Sequence, residues 1–270
     1  SPLLEELERD PSCGAVGPRM AIDEEASVFH PRLELPHVAA ELSTLQARFD
    51  RSQARTLLAR RARMAAAFLS FESAREVPML SGACIVMRRE TVEALGEPLD
   101  GAYPLYYEDA QLAQDLRAMG QSSKIVPSSK VLHHWSRSAG SGAEFAAEPA
   151  RRAAISRKLF HARHGEALAV RSLKETEDAL AAAELEPPFD VQELGAQDGA
   201  FSVHFEAQEE VLLELSACPF FPIAAGVVTS GDSWSLSEAL WGWIFPGRWY
   251  LRAACARTGR HLGAWSFDKG

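Results

Sequence analysis

Leu99-Asp-Gly-Ala-Tyr-Pro-Leu-Tyr-Tyr-Glu-Asp-Ala-Gln-Leu112 is the stretch on which the fold turns. Residues 103–107 read as an aromatic loop. Residues 109–119 read as a helix, because Leu112, Leu116 and Met119 share one face and Gly120 stands just past the C-terminus. Downstream, Lys124-Ile-Val and Lys130-Val-Leu-His read as short strands on either side of Pro127-Ser-Ser. Upstream, Ser81-Gly-Ala-Cys-Ile-Val-Met-Arg-Arg-Glu is a small-residue turn feeding a buried strand, and residues 89–95 form a short helix stopped by Gly96. Strands alternating with helices predict a mixed α/β part.

The pattern extends outward on both sides. Residues 2–9 read as a helix with Leu3, Leu4 and Leu7 among glutamates, and Gly14-Ala-Val-Gly-Pro as a short buried strand and turn. Residues 37–77 contain no Gly and no Pro and should be mostly helical. Their Arg48, Arg51, Arg55, Arg60, Arg61 and Arg63 stand against a lone Asp50. That run is either a solvated helix face or a cationic surface for an anionic donor or a lipid head group. A second helical region, residues 146–185, is broken near His164-Gly165.

After Pro187-Pro188 the period drops to two: Phe201, Val203 and Phe205 alternate with Ser202, His204 and Glu206. Val211-Leu-Leu-Glu-Leu, Ala224-Gly-Val-Val-Thr, Trp249-Tyr-Leu-Arg-Ala-Ala and His261-Leu-Gly-Ala-Trp-Ser-Phe are further strands, and Arg257-Thr-Gly-Arg is a hairpin turn. The expected organisation is an α/β part over 1–165, a helical linker over 166–187 and a small all-β, sandwich-like part over 188–270. Five of the six tryptophans fall in that last part, either as core and strand-pairing residues or as stacking platforms for sugar rings.

Composition narrows the function. Lys+Arg 28 against Asp+Glu 37 gives a net charge of −9, which argues against a dedicated nucleic-acid partner. Cys13, Cys84, Cys218 and Cys255 are far apart with no CxxC pair, so neither a disulfide framework nor a zinc cluster is expected. The acidic start and the shortness of the apolar runs predict no signal peptide and no membrane span, hence a cytoplasmic protein.

Three constellations can carry chemistry. Glu108-Asp109 opens a helix behind three tyrosines; such acids complement the helix dipole, and an aspartate at a cleft mouth can also act as a general base. His133-His134 ends a strand, so only one of the two can face a given pocket; it is a hydrogen-bonded structural residue or one nitrogen ligand of a divalent ion. Ser136-Arg-Ser-Ala-Gly-Ser-Gly can cradle a phosphate with Arg137 as charge partner.

In this order, Ser81-Gly-Ala-Cys, then Leu99 to Leu112, then Ile125-Val-Pro-Ser-Ser-Lys-Val-Leu-His-His-Trp-Ser-Arg-Ser-Ala-Gly, the chain resembles family-two inverting glycosyltransferases, closest to the rhamnosyltransferase-like group. The resemblance covers roughly residues 3–165. It implies a partial GT-A-like fold, with Ser81, Gly82 and Ala83 at the acceptor site, Asp109 as the base and Glu108 as its acidic partner. It implies His133, with His134 as fallback, as a ligand of Mg²⁺ or Mn²⁺, and Arg137 beside the diphosphate. Its partners would be a nucleotide-diphosphate sugar and a glycan or lipid-linked acceptor, in cell-surface polysaccharide biosynthesis; a peripheral contact at the inner face of the membrane is the option that the charge of the arginine run adds, and nothing in the sequence obliges it.

Two departures stand out. Gln111 and Asp115 replace the Asp and Arg usual in the family. Nothing matches the DxD-bearing nucleotide-binding half, and Asp23-Glu24-Glu25 does not supply it, so the resemblance implies the acceptor half of an enzyme. The alternative is a non-catalytic carbohydrate-binding or scaffold protein derived from such an enzyme.

Overall fold

The computed structural model describes residues 1–31, 33–133, 143–165 and 167–270. The chain is mixed α/β and divides into two compact units that interleave in sequence. The first comprises Ser1–Arg19, Leu33–Leu42 and Glu72–Glu175; the second comprises Met20–Arg32, Ser43–Phe71 and Thr176–Gly270.

The first unit begins with α1 (Pro2–Arg9), whose Pro2 suits a first helical position and whose Leu3 and Leu7 are buried. β1 (Cys13–Ala21) follows, buried at every position. It joins β2 (Arg75–Val77), β3 (Val86–Met87) and β4 (Ser122–Leu132) in a sheet of order β2-β4-β1-β3. Leu3, Leu7, Cys13, Val16 and Val126 form the core between α1 and this sheet. Glu6, on the buried side of α1, accepts from Arg9 at 2.5 Å and from Lys124 Nζ at 2.8 Å, so its charge is paired. β4 is one strand of eleven residues where two were expected around Pro127. Its ladder with β2 covers only Ser123–Ile125, so the missing N–H of Pro127 falls beyond that pairing.

The helices of this unit are α2 (Val38–Gln46), which continues into the second unit, α4 (Arg89–Leu95), α5 (Glu108–Ala118) and α6 (Ala143–His164), with α7 (Ala167–Ala181) after it. Gly96 ends α4 at φ 73°, a conformation that favours glycine. Ala110, Leu112, Ala113 and Leu116 form the buried face of α5. Met79, Tyr103, Ala110, Ala113 and Phe160 make a second core, which joins α5 to α6.

The second unit is built on α3 (Arg51–Leu69) and the strands β5 (Gln192–Gln197), β6 (Phe201–His204), β7 (Val211–Ser216), β8 (Ala225–Thr229), β9 (Ser233–Leu236), β10 (Gly247–Cys255) and β11 (His261–Lys269). Five of them form a sheet of order β5-β11-β10-β7-β8, antiparallel except for β5 against β11, while β6 and β9 make a two-stranded ribbon. One face of the sheet packs Leu213, Leu251, Ala253 and Trp265 against Val203 and Phe205. Nearby, Leu215 and Phe267 meet the short α8 (Glu238–Trp243). The opposite face carries Ala264 and lies against Leu58 of α3, with Phe189, Phe221 and Ala224. Covered on both faces, β7 is buried along its whole length.

α3 starts where Asp50 turns its carboxylate onto the N–H groups of Ser52 (2.8 Å) and Gln53 (3.2 Å). Its arginines are staples within this unit. Arg51 pairs with Asp190 at 2.7 Å, and Arg55, Arg61 and Arg63 donate to the carbonyls of Pro188, Pro222 and Thr258. Arg48 lies over the Phe220 ring at 5.4 Å. Arg55, Arg60 and Arg63 are exposed, so the run is in part a solvated helix face, and its partnered guanidinium groups also tie α3 to neighbouring loops.

Among the described residues, no helix is long and apolar enough to cross a membrane. All four cysteines are unbonded.

Candidate functional site

Ser81-Gly82-Ala83 is a tight turn, closed by the Cys84 N–H donating to the Ser81 carbonyl (3.3 Å) and the Ala83 N–H donating to Ser81 Oγ (3.3 Å). Gly17 of β1 backs this turn so closely that a Cβ there would lie 3.0 Å from Leu80 Cδ2 and 3.2 Å from the Cys84 carbonyl oxygen. The turn therefore has little room to shift.

Opposite it, Asp109 sits in the first turn of α5. The Gly82 N–H donates to Asp109 Oδ2 at 3.3 Å, and the Ala110 N–H donates to Oδ1 at 2.8 Å. A Cβ at Gly82 would lie 3.5 Å from Glu108 Oε1 and 3.7 Å from Asp109 Cβ. Thus Gly82, Glu108 and Asp109 meet at one place although 27 residues separate Gly82 from Asp109.

Burial pushes the Asp109 carboxyl up to about 6, and the neighbouring Glu108 charge adds to that, against the lowering effect of the amide donors. Glu108 Oε2 is buried without a hydrogen-bond partner among the described residues. Burial and the second acid make Asp109 more basic than an exposed aspartate, and the Glu108 oxygen without a donor leaves an acceptor that a hydroxyl could satisfy.

The loop that delivers this pair is strained. Tyr106 and Tyr107 both have positive φ (62° and 70°), a region that costs a non-glycine residue about 1–2 kcal/mol each. Tyr107 nevertheless caps α5, held by its ring against Phe160 (5.4 Å between centroids) and His161 (6.2 Å). Tyr106 is exposed beside the pair in sequence. Sequence patterning gave no sign of this conformation, because neither tyrosine is a residue type that favours it.

Gln111 and Asp115, the two departures from the family pattern, bond to one another at 2.9 Å. Gln111 Oε1 also accepts from Tyr103 (2.9 Å) and lies 2.8 Å from His164 Nε2. Both side chains thus serve the joint between α5 and α6. His133 stands one residue past the end of β4, half-buried. His134, Arg137 and the rest of the Ser/Gly loop lie outside the described residues.

No three His, Cys, Asp or Glu side chains cluster to hold an ion among the described residues. Asp23 is fully buried and turned onto its own loop, accepting from the Ser27 N–H, the Ser27 hydroxyl and the Val28 N–H. Of the five tryptophans of the second unit, Trp241 and Trp265 are buried in the core, while Trp234, Trp243 and Trp249 are half-buried, Trp249 donating to the Phe245 carbonyl. Comparison of this chain with family models, with characterised proteins and with solved structures finds no match.

Proposed function

We propose that the chain is the acceptor-side part of an inverting glycosyltransferase of GT-A-like fold, with its site in the first unit, and that the second unit, which takes in residues 188–270 together with Met20–Arg32 and Ser43–Phe71, is an accessory part. One observation carries the proposal: the Ser81-Gly82-Ala83 turn and the Glu108-Asp109 pair, which the family resemblance selects independently, converge, with the Gly82 N–H on Asp109.

In the proposed reaction an acceptor hydroxyl of a glycan or lipid-linked sugar hydrogen-bonds to Asp109. Its oxygen attacks the anomeric carbon of a nucleotide-diphosphate sugar, the bond to the diphosphate oxygen breaks, and the proton passes to the carboxylate. Each Asp109 oxygen receives one amide N–H, which fixes the carboxylate plane and leaves lone pairs for the incoming hydroxyl. A base that titrates near 6 is largely ionised in the cytoplasm yet more basic than an exposed aspartate. Ser81 and Ala83 shape the acceptor wall, and Arg137 is proposed beside the diphosphate. Mg²⁺ or Mn²⁺ would steady the leaving diphosphate, with His133 its proposed ligand. One histidine does not by itself make an ion site, and further ligands would have to come from outside the described residues.

The alternative, a non-catalytic carbohydrate-binding or scaffold protein, draws on the Trp-rich segment, where burial of Trp241 and Trp265 leaves the half-buried Trp234, Trp243 and Trp249 as the rings that could stack on a sugar. The test is transfer from nucleotide-diphosphate sugars by the natural full-length protein and by its Asp109→Asn variant. Loss of transfer by about 100-fold or more, with the fold intact, supports the base assignment. Unimpaired transfer removes it.

A further inference from the structure

α6 touches α5 and its approach loop at successive points, and each contact falls on a residue that sets where Asp109 lies. Ser156, fully buried, accepts the Leu105 N–H on its Oγ at 3.2 Å. Arg152 donates to the Pro104 carbonyl. Phe160, also fully buried, and His161 enclose the Tyr107 ring. One turn on, His164 meets Gln111 at 2.8 Å, and Arg163 reaches Asp100 at 2.5 Å and lies over the Tyr103 ring at 5.1 Å.

Together these contacts hold residues 103–107 in the one arrangement that forces two consecutive tyrosines to positive φ. Such strain persists only where the surroundings over-determine it. α6 is itself anchored: Glu41 of α2 accepts from Arg157 at 2.8 Å and lies 3.2 Å from His161 Nε2.

We propose that Ser156 and Phe160 are positioning residues for the Glu108–Asp109 pair, with α6 acting as the clamp that holds Leu105–Tyr107 strained and so presses Asp109 onto the Gly82 N–H. The proposal rests on the reading of Asp109 as the working carboxylate, but its test does not require transfer. Released from the clamp, Tyr106 and Tyr107 relax to negative φ, α5 loses its fixed start, and water reaches Asp109.

The readout is the Asp109 side-chain carboxyl resonance in the ¹³C-labelled full chain, titrated from about pH 4 to about pH 8. In the wild type its midpoint should lie near 6. Ser156→Ala, or Phe160→Leu where the first does not fold, should lower that midpoint by about one pH unit or more, toward the ordinary carboxylate value. Leu3→Ala, which opens the separate core under α1, should leave it in place. A midpoint unchanged in the folded clamp variant, one that moves equally in Leu3→Ala, or a wild-type midpoint already near the ordinary value overturns the proposal. Loss of the transferase reading through an active Asp109→Asn variant would leave this titration result standing, so the two failures are distinguishable.

Discussion

Gly259 is the position where a single methyl group should do most damage to the second unit. It sits in the turn between β10 and β11 at φ 72°, directly against α3. A Cβ there would fall inside the Ala59 carbonyl group, 2.7 Å from its carbon and 2.9 Å from Cα. Neither side of this contact is a flexible tip; both are backbone. The substitution therefore meets two costs. Left-handed backbone costs an alanine about 1–2 kcal/mol. Relieving the overlap requires the turn and the helix to part by roughly 1 Å, and overpacking of this kind costs about 1–3 kcal/mol. The Arg63 bond to the Thr258 carbonyl, in the same turn, is strained with it.

Gly259→Ala should thus destabilise the unit by about 3 kcal/mol. Gly195→Ala is the matched control: the same unit, φ again 72°, and nothing within 4 Å of the added methyl, so only the backbone cost of about 1 kcal/mol applies. Urea unfolding followed by tryptophan fluorescence reads this unit selectively, because five of the six tryptophans belong to it. Equal shifts in midpoint for the two variants would refute the argument, since they share the backbone cost and differ only in the overlap.

Other consequences follow from the same geometry. His261 stacks face to face on Phe189 (3.9 Å, 7°), and burial, helped by Arg252 and Arg55 and opposed by Asp190, pushes its imidazole down to about 4. The unfolded chain therefore takes up this proton first as pH falls. The stability tied to it is complete above about pH 6.5 and is lost toward pH 4, by up to about 3 kcal/mol, and a His261→Phe variant should flatten that stretch of the stability–pH curve. Asp109 has the opposite sign: a raised carboxyl penalises the folded state above about pH 6, so Asp109→Asn should raise the thermal midpoint at pH 8 by an amount worth about 1–2 kcal/mol and give no gain near pH 4. Glu214 and Arg252 form a buried cross-strand ion pair under Phe221, so Glu214→Ala should cost about 3–5 kcal/mol in chemical unfolding, whereas the paired Glu214→Leu, Arg252→Met change should cost far less. Asp50→Ala removes the cap of α3 and should cost about 1 kcal/mol in thermal unfolding.

Much of the fold was legible because period and punctuation agree locally. The leucines at 112 and 116 predicted the buried face of α5, Gly96 the end of α4, and the alternation at 201–205 a strand. Where residues act outside their own element, patterning fell short. Pro127 suggested a break in β4 that the register makes unnecessary. Asp50 looked like a stray acid in a basic run, although an aspartate three residues before Gln53 is a readable cap signal. The arginines of α3 read as a solvated face, which Arg55, Arg60 and Arg63 in part are, but their bonds to loop carbonyls more than a hundred residues away could not be read from the run. β5, with no clean alternation and Gly195 at positive φ, and the six-residue α8 offered too little period to find.

At the candidate site, the residues that meet were legible and their support was not. Gly82, Glu108 and Asp109 could be picked from the order of motifs, and they converge. Ser156 and Phe160 look in sequence like an ordinary small polar residue and an ordinary core aromatic. Only the path of the 103–107 loop gives them a distinct part.

The pH dependence of sugar transfer by the natural full-length protein tests the central claim most directly. If Asp109 is the base, the rate should rise along an acid limb with a midpoint near 6 and level off above it, and Asp109→Asn should abolish the limb together with most of the rate. A flat profile through that range, or a limb that survives in Asp109→Asn, would contradict the account.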